Sequence, residues 1–204
     1  MSKKLLSTIL IIGGIALLVV WMIGRYNTMV VEQENVENAW GQVENQYQRR
    51  NDLIPQLVGS VEGYMIHESQ TLTDVINARA KATQVTIDPS NMSDAQLKAF
   101  QQTQGELSSA LSRLMVSIER YPELKADSHV SKLMADIEGT ENRIAVARNA
   151  FNDAAKTYNT YIRKFPNNII ASMFSFERKP YFEAEEGAKT APKVDFSGLK
   201  HKTE

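Results

Sequence analysis

Three groups of residues in this chain are of types that could do chemistry. His67 and Glu68 stand side by side in a helical stretch, as in the HExxH pattern, where two histidines one turn apart hold zinc and the glutamate acts as base. The second histidine is absent. The chain's three histidines, His67, His129 and His201, are not spaced as metal ligands, and helix-surface or interface positions are expected for them. Glu183, Glu185 and Glu186 form an acidic cluster that could attract a cation weakly; a solvated tail accounts for it better. Arg49, Arg50, Asn51 and Asp52 place opposite charges together, enough for local pairs of roughly 0.2–0.5 kcal/mol each. There is no nucleophile with a base and an orienting partner, and no glycine-rich phosphate loop. No cysteine is present, which excludes disulfides, thiol nucleophiles and zinc–thiolate sites. No catalytic residue, cofactor or metal is expected, and the chain reads as a non-enzyme.

These residues must be positioned by helices, because no stretch shows strand alternation. The first element is apolar. Leu5 to Ile23 runs without a charge, and a helix of that length covers about 28 Å, close to the ~30 Å hydrocarbon core of a bilayer. A cleaved signal peptide has a shorter apolar core and a small-residue cleavage site. Here the run ends in Trp21, Met22, Ile23, Gly24, Arg25 and Tyr26, with Trp21 and Tyr26 suited to an interfacial aromatic belt. An uncleaved transmembrane anchor over residues 1–25 is expected. Lys3 and Lys4 precede the span, whereas Glu32, Glu34 and Glu37 follow it. The positive-inside rule then leaves the N-terminus in the cytoplasm and the domain on the periplasmic or extracellular side. The alternative is a cytoplasmic bundle. Beyond the anchor, acidic residues exceed basic ones, which argues against nucleic acid as a partner.

Three amphipathic runs follow. From Tyr26 to about Ala82, apolar residues including Val36, Trp40, Val43, Tyr47, Ile54, Leu57, Val61 and Tyr64 form one stripe at helical spacing. Pro55 is expected to break or kink this helix near Arg50–Ile54, with Asn51 or Asp52 capping the next segment. Gly59 and Gly63 are spaced for close helix approach. After a loop around Asp88 and Pro89, Ser93 and Gln96 form a capping box. The seam behind it, Leu97, Phe100, Gln104, Leu107, Leu111, Leu114, Ile118 and Tyr121, has the 3.5-residue repeat of coiled coils. A long helix is expected from Ser128 to Phe165, with Val130, Ile137, Ile144, Phe151, Tyr158 and Phe165 recurring every seven residues, and Pro166 stops it. The expected architecture is all-α: an N-terminal transmembrane helix, then an elongated antiparallel bundle of three to four long helices over 26–176. Residues 177–204 are expected to be an extended or flexible tail.

Several blocks along this pattern resemble the bacterial LemA family. They are Tyr26, Asn27 and Val30; Trp40 with Val43, Glu44, Gln46 and Tyr47; Gln48, Arg49, Arg50, Asp52, Leu53, Ile54, Pro55, Leu57 and Val58; Val61, Gly63, Tyr64, His67 and Glu68; and Ala78 with Arg79. Later come Tyr158 with Asn159, Phe165 with Pro166 and Asn168, Ala171, Phe174, the Pro180–Ala184 block and the Pro192–Phe196 block. The resemblance covers nearly the whole chain, stopping at about Gly198. It implies a single-pass membrane protein with an antiparallel helical bundle and no established activity. It also implies links to envelope stress, membrane-protease neighbours or surface presentation, and some members are described with the domain on the cytoplasmic side.

Two functions compete. The first is a structural or scaffolding protein of the bacterial inner membrane and envelope, with the bilayer as one partner and a homo-oligomer formed through leftover apolar stripe. The second is an adaptor or accessory subunit of a membrane protease or transport complex, docking through its aromatic tail. Trp40, Pro55, Tyr64, Phe174, Tyr181 and Phe182 are the candidate interaction residues, and Leu5 and Ile23 bound the span.

Overall fold

The apolar N-terminal run and the first amphipathic stripe form one continuous helix. In the computed structural model, which describes residues 3–183, α1 spans Lys3–Val61, 59 residues in all. Its charge-free first third is exposed up to Trp21, and among the described residues only its last turn, at Met22, packs against the bundle. From Met29 onward, the stripe of Val36, Trp40, Val43, Tyr47, Ile54, Leu57 and Val61 is buried.

Pro55 lies inside α1 and does not break it, contrary to the sequence expectation, and Asn51 and Asp52 cap nothing. Its ring sits on the exposed side of the helix. The carbonyl it deprives of a partner is satisfied from another helix, as described below. The chain turns later, over residues 62–68, where Met65 is drawn fully into the core. Gly59 and Gly63 mark no close approach, since a Cβ at either would meet nothing within 4 Å.

Four further helices complete the bundle and its end far from the apolar run. They are α2 (Ser69–Gln84), α3 (Asp94–Ile118), a short α4 (Pro122–Ala126) and α5 (Ser128–Arg163). The capping box at α3 is present: the Gln96 N–H donates to Ser93 Oγ, and the Ser93 N–H donates to the Gln96 side chain. Asp127 caps α5 by accepting from the N–H groups of His129 and Val130, as a short acidic N-cap does. α5 packs antiparallel along α1. Trp40 meets Phe151 at 5.6 Å between ring centroids; ten residues on, Arg50 meets Glu141, ten residues back. α2 and α3 form an antiparallel hairpin laid against that pair.

The heptad expected in α5 holds from Val130 through Tyr158 and fails only at Phe165. The last buried residues of α5 are Ala155, Tyr158, Asn159 and Ile162, while Phe165 is 81% exposed and lies beyond the helix. α5 ends at Arg163 and Lys164 is extended, so Phe165 is off the helix that carries the stripe. A last helix, α6 (Asn167–Met173), folds back beside the start of the bundle.

The core has two apolar compartments. The one near the span holds Met29–Tyr47, Phe100, Phe151, Tyr158, Ile162, Ile170 and Phe182. The far one holds Ile54–Met65, α2, the second half of α3 and the start of α5. Within the near compartment, Trp40 contacts Phe100, Phe151 and Phe182 at 5.3–6.0 Å. These offset and edge-on geometries are the favoured ones for aromatic pairs.

Candidate functional site

Between the two compartments lies a polar belt. Arg50, carried by α1, is 1% exposed. A buried guanidinium is costly unless it is paired and hydrogen-bonded, and three elements supply its partners. Its Nη1 donates to Glu141 Oε1 of α5 at 2.5 Å and to Ser108 Oγ of α3 at 2.7 Å. Its Nη2 donates to Gln104 Oε1 at 2.5 Å, and the Gln104 amide donates onward to the Ala82 carbonyl of α2 at 3.2 Å. The guanidinium also lies 5.2 Å from the Tyr47 ring centroid, within cation–π range. The belt therefore ties all four long helices to one charge, with the Glu141 end reaching solvent at 36% side-chain exposure.

Arg79 of α2 extends the belt. Its Nε donates to the Asn51 carbonyl at 3.0 Å. Asn51 is four residues before Pro55, so its carbonyl is the one that loses its intrahelical partner when proline lacks an N–H. The arginine replaces the missing donor, and α1 stays whole.

A second polar arrangement holds the residues that follow α6. Asn159 Nδ2 donates to the Lys179 carbonyl at 2.8 Å, while Asn159 Oδ1 accepts from the Lys179 N–H at 2.9 Å. Asn152 does the same with both backbone groups of Phe182, at 3.1 and 2.9 Å. Gln101 of α3 repeats it with Glu183. Asn152 and Asn159 are separated by about 10.5 Å of helix, and Lys179 and Phe182 by about 10 Å of extended chain. The match in spacing lets a helix bind an extended strand through side-chain amides. Lys179 is itself buried; its Nζ donates to the carbonyls of Pro89 and Ser90 at 2.7 and 2.9 Å, with Glu37 3.9 Å away. Burial pushes the Lys179 ammonium down, with Glu37 opposing. Burial likewise raises the Tyr158 hydroxyl to about 12, with Glu177 and Glu37 adding to the effect. That hydroxyl donates to the Glu177 carbonyl.

The candidate interaction residues are divided by this architecture. Trp40 and Phe182 are buried and stacked on each other at 6.0 Å. Tyr181 is half-buried with Arg178 over its ring. Phe174 is 51% exposed beside Tyr26. Pro55 and Tyr64 lie at the other end, both on the surface. Leu5 and Ile23 are exposed on α1. Glu185, Glu186, Phe196, His201 and the tail beyond Glu183 lie outside the described residues. Among the described residues, no group of three or more histidines and carboxylates is placed to hold a metal.

Sequence reasoning passed over Arg50's role, the pairing asparagines and Lys179. Signals were present: Gln104 interrupts an apolar seam, and Asn152 and Asn159 share a helix face seven residues apart.

Most of the chain is similar to known proteins. The model of the LemA family matches residues 39–196. A relative named magnetosome protein MamQ 2, from Paramagnetospirillum magneticum, is 27% identical over 93% of this chain and 74% of its own length. A protein named LemA from Metamycoplasma hominis is 25% identical over 80% of this chain and 71% of its own. Magnetosome protein MamQ of Magnetospirillum gryphiswaldense is 27% identical over 81% and 67%. With the family model spanning the bundle from Ala39 through the clamped strand, this chain belongs to the LemA family.

Proposed function

We propose that the protein is a membrane-anchored scaffold of the bacterial envelope that works through self-assembly or partner capture by its helical bundle. The observation that carries this reading is the continuity of α1, in which one helix provides both the apolar run and a wall of the bundle. A flexible joint would let the domain tumble. An unbroken helix instead fixes a rod, about 54 Å from Tyr26 to Val61, to the membrane. At its far end Tyr64 and Ile66 are 58% and 73% exposed, apolar groups suited to a second copy or another protein. Relatives named as magnetosome proteins carry the name of a cellular structure rather than of a reaction, which agrees with this reading. The adaptor reading is less favoured, because the aromatic strip it needs for docking is folded onto the bundle from Phe176 to Phe182.

The full chain reconstituted in lipid nanodiscs tests the proposal by the number of copies per particle. More than one copy, reduced by Tyr64→Ser with Ile66→Ser, supports assembly through the far end. A single copy at micromolar concentration removes self-assembly. Orientation is tested separately with Asn91→Cys and an impermeant maleimide. Labelling in intact cells with the outer membrane opened, where there is one, supports a bundle outside the cytoplasm, and labelling only after lysis places it inside.

A further inference from the structure

From Phe165 to Phe176 the chain carries no charge, and Arg163 and Lys164 on one side and Glu177 and Arg178 on the other bracket this stretch. It contains α6, whose inner face, Ile170 and Ala171, is buried against α1 and α5. The outer side carries apolar residues too, beside the exposed Asn168 and Ser172. Phe165, Ile169 and Met173, at four-residue steps, are 81%, 52% and 62% exposed, and Phe174 adjoins them. A helix facing water presents polar groups on its outer side, and a contiguous apolar face is a contact surface.

Its position on α1 identifies what it contacts. The Phe174 ring lies 4.9 Å from that of Tyr26, and Phe176 lies 5.5 Å from the same ring. Phe174, Val19, Met22, Ile23 and Tyr26 line an open apolar recess of about 280 Å³. Val19, Met22 and Ile23 belong to the charge-free run, so the recess opens within the last turn and a half of the span. Ser175, at a φ of 58°, ends α6 in the left-handed turn of a Schellman motif, with the Phe176 N–H donating to the Ala171 carbonyl at 2.9 Å. That turn returns the chain toward Tyr26 and leaves Phe174 on the outside.

We infer that α6 is a second membrane contact. Its outer face rests in the interfacial layer of the leaflet from which α1 emerges, acyl chains fill the recess beside Val19 and Phe174, and Arg163, Lys164 and Arg178 face anionic headgroups. An interfacial helix sits about 5–10 Å into the headgroup–acyl boundary, and the distance from Ile23 back to Val19 is about 6 Å along α1. A lone span leaves the bundle free to spin and tilt, whereas two contacts fix both. The inference rests on the reading that residues 5–23 cross a bilayer.

The test uses the full chain in phosphatidylglycerol-containing vesicles. The chain has no cysteine, so single substitutions Ile15→Cys, Met173→Cys and Val146→Cys, all at exposed positions, each carry an environment-sensitive fluorophore. Lipid-borne spin labels are expected to quench position 173 several-fold more than position 146 and nearly as much as position 15, with aqueous iodide giving the reverse order. Quenching at 15 but not at 173 overturns the inference and leaves the anchor reading intact. No quenching at 15 overturns both. Shielding of 173 from iodide without lipid quenching, lost on dilution to one copy per vesicle, means that a second copy covers this face and also overturns the inference.

Discussion

Arg79 donates its Nε to the backbone carbonyl of Asn51 at 3.0 Å, and Asn51 is the residue that Pro55 leaves without an intrahelical partner. A defect in one helix is thus repaired by a side chain from another. Removing the arginine leaves a buried acceptor unsatisfied, which costs about 1–3 kcal/mol. Arg79→Ala should lower the unfolding free energy by that amount, read from denaturant melts followed by circular dichroism. In a Pro55→Ala background, where residue 55 regains its N–H, the same change should cost clearly less. Equal costs in the two backgrounds would show that the contact carries no coupling.

Loss of Glu141 should be felt more than its half-exposed position suggests. Breaking a buried ion pair by removing one member costs about 3–5 kcal/mol, because the other charge stays behind. The carboxylate is partly solvated, so Glu141→Ala is expected near the lower end, about 3 kcal/mol. Replacing Arg50 and Gln104 together by methionine removes the buried charge and its main acceptor at once. That double variant is expected to remain folded and to lose less stability than Glu141→Ala in urea melts.

The clamped strand offers a local readout. Asn159→Ala removes two hydrogen bonds to Lys179, worth about 1 kcal/mol each, without opening the bundle. Trypsin should then cut after Arg178 several-fold faster, with the helical circular dichroism signal unchanged. Asn152→Ala should do the same for the end of the strand. Unchanged cleavage in both variants would count against the asparagine clamp.

Two pH dependences follow, of opposite sign. The backbone N–H groups of Val130 and His129 hold the Asp127 carboxyl below its usual range. Its contribution is present above the ordinary value of 3.8 and is lost as pH falls through the folded value. Asp127→Asn, which accepts at any pH, should flatten the acid limb of a plot of melting temperature against pH. Tyr158 is raised from 10.0 to about 12 by burial. Its contribution is whole below the unfolded value near 10.0 and fades as pH rises through about 12. Spectrophotometric titration of Tyr158→Phe should lose a tyrosine that titrates near 12.

Periodicity was enough for the long helices α3 and α5, because a helix with one apolar stripe has to bury it. The α3 seam from Leu97 to Ile118 and the Ser93–Gln96 box are placed where the sequence puts them. The unbroken charge-free run from Leu5 to Ile23 likewise required a long apolar helix. What needed the folded chain were the contacts between residues far apart in sequence. Pro55 reads as a helix breaker until Arg79 arrives from α2. Arg50 reads as one member of a local charge cluster until Ser108, Gln104 and Glu141 gather round it. Trp40 reads as part of an apolar stripe and Phe182 as part of an aromatic tail, but that the two cover each other is visible only in the fold. Local propensity and spacing are properties of neighbours along the chain. The partners that satisfy a buried donor, carbonyl or charge are set by how helices register against one another, and only the tertiary structure decides that.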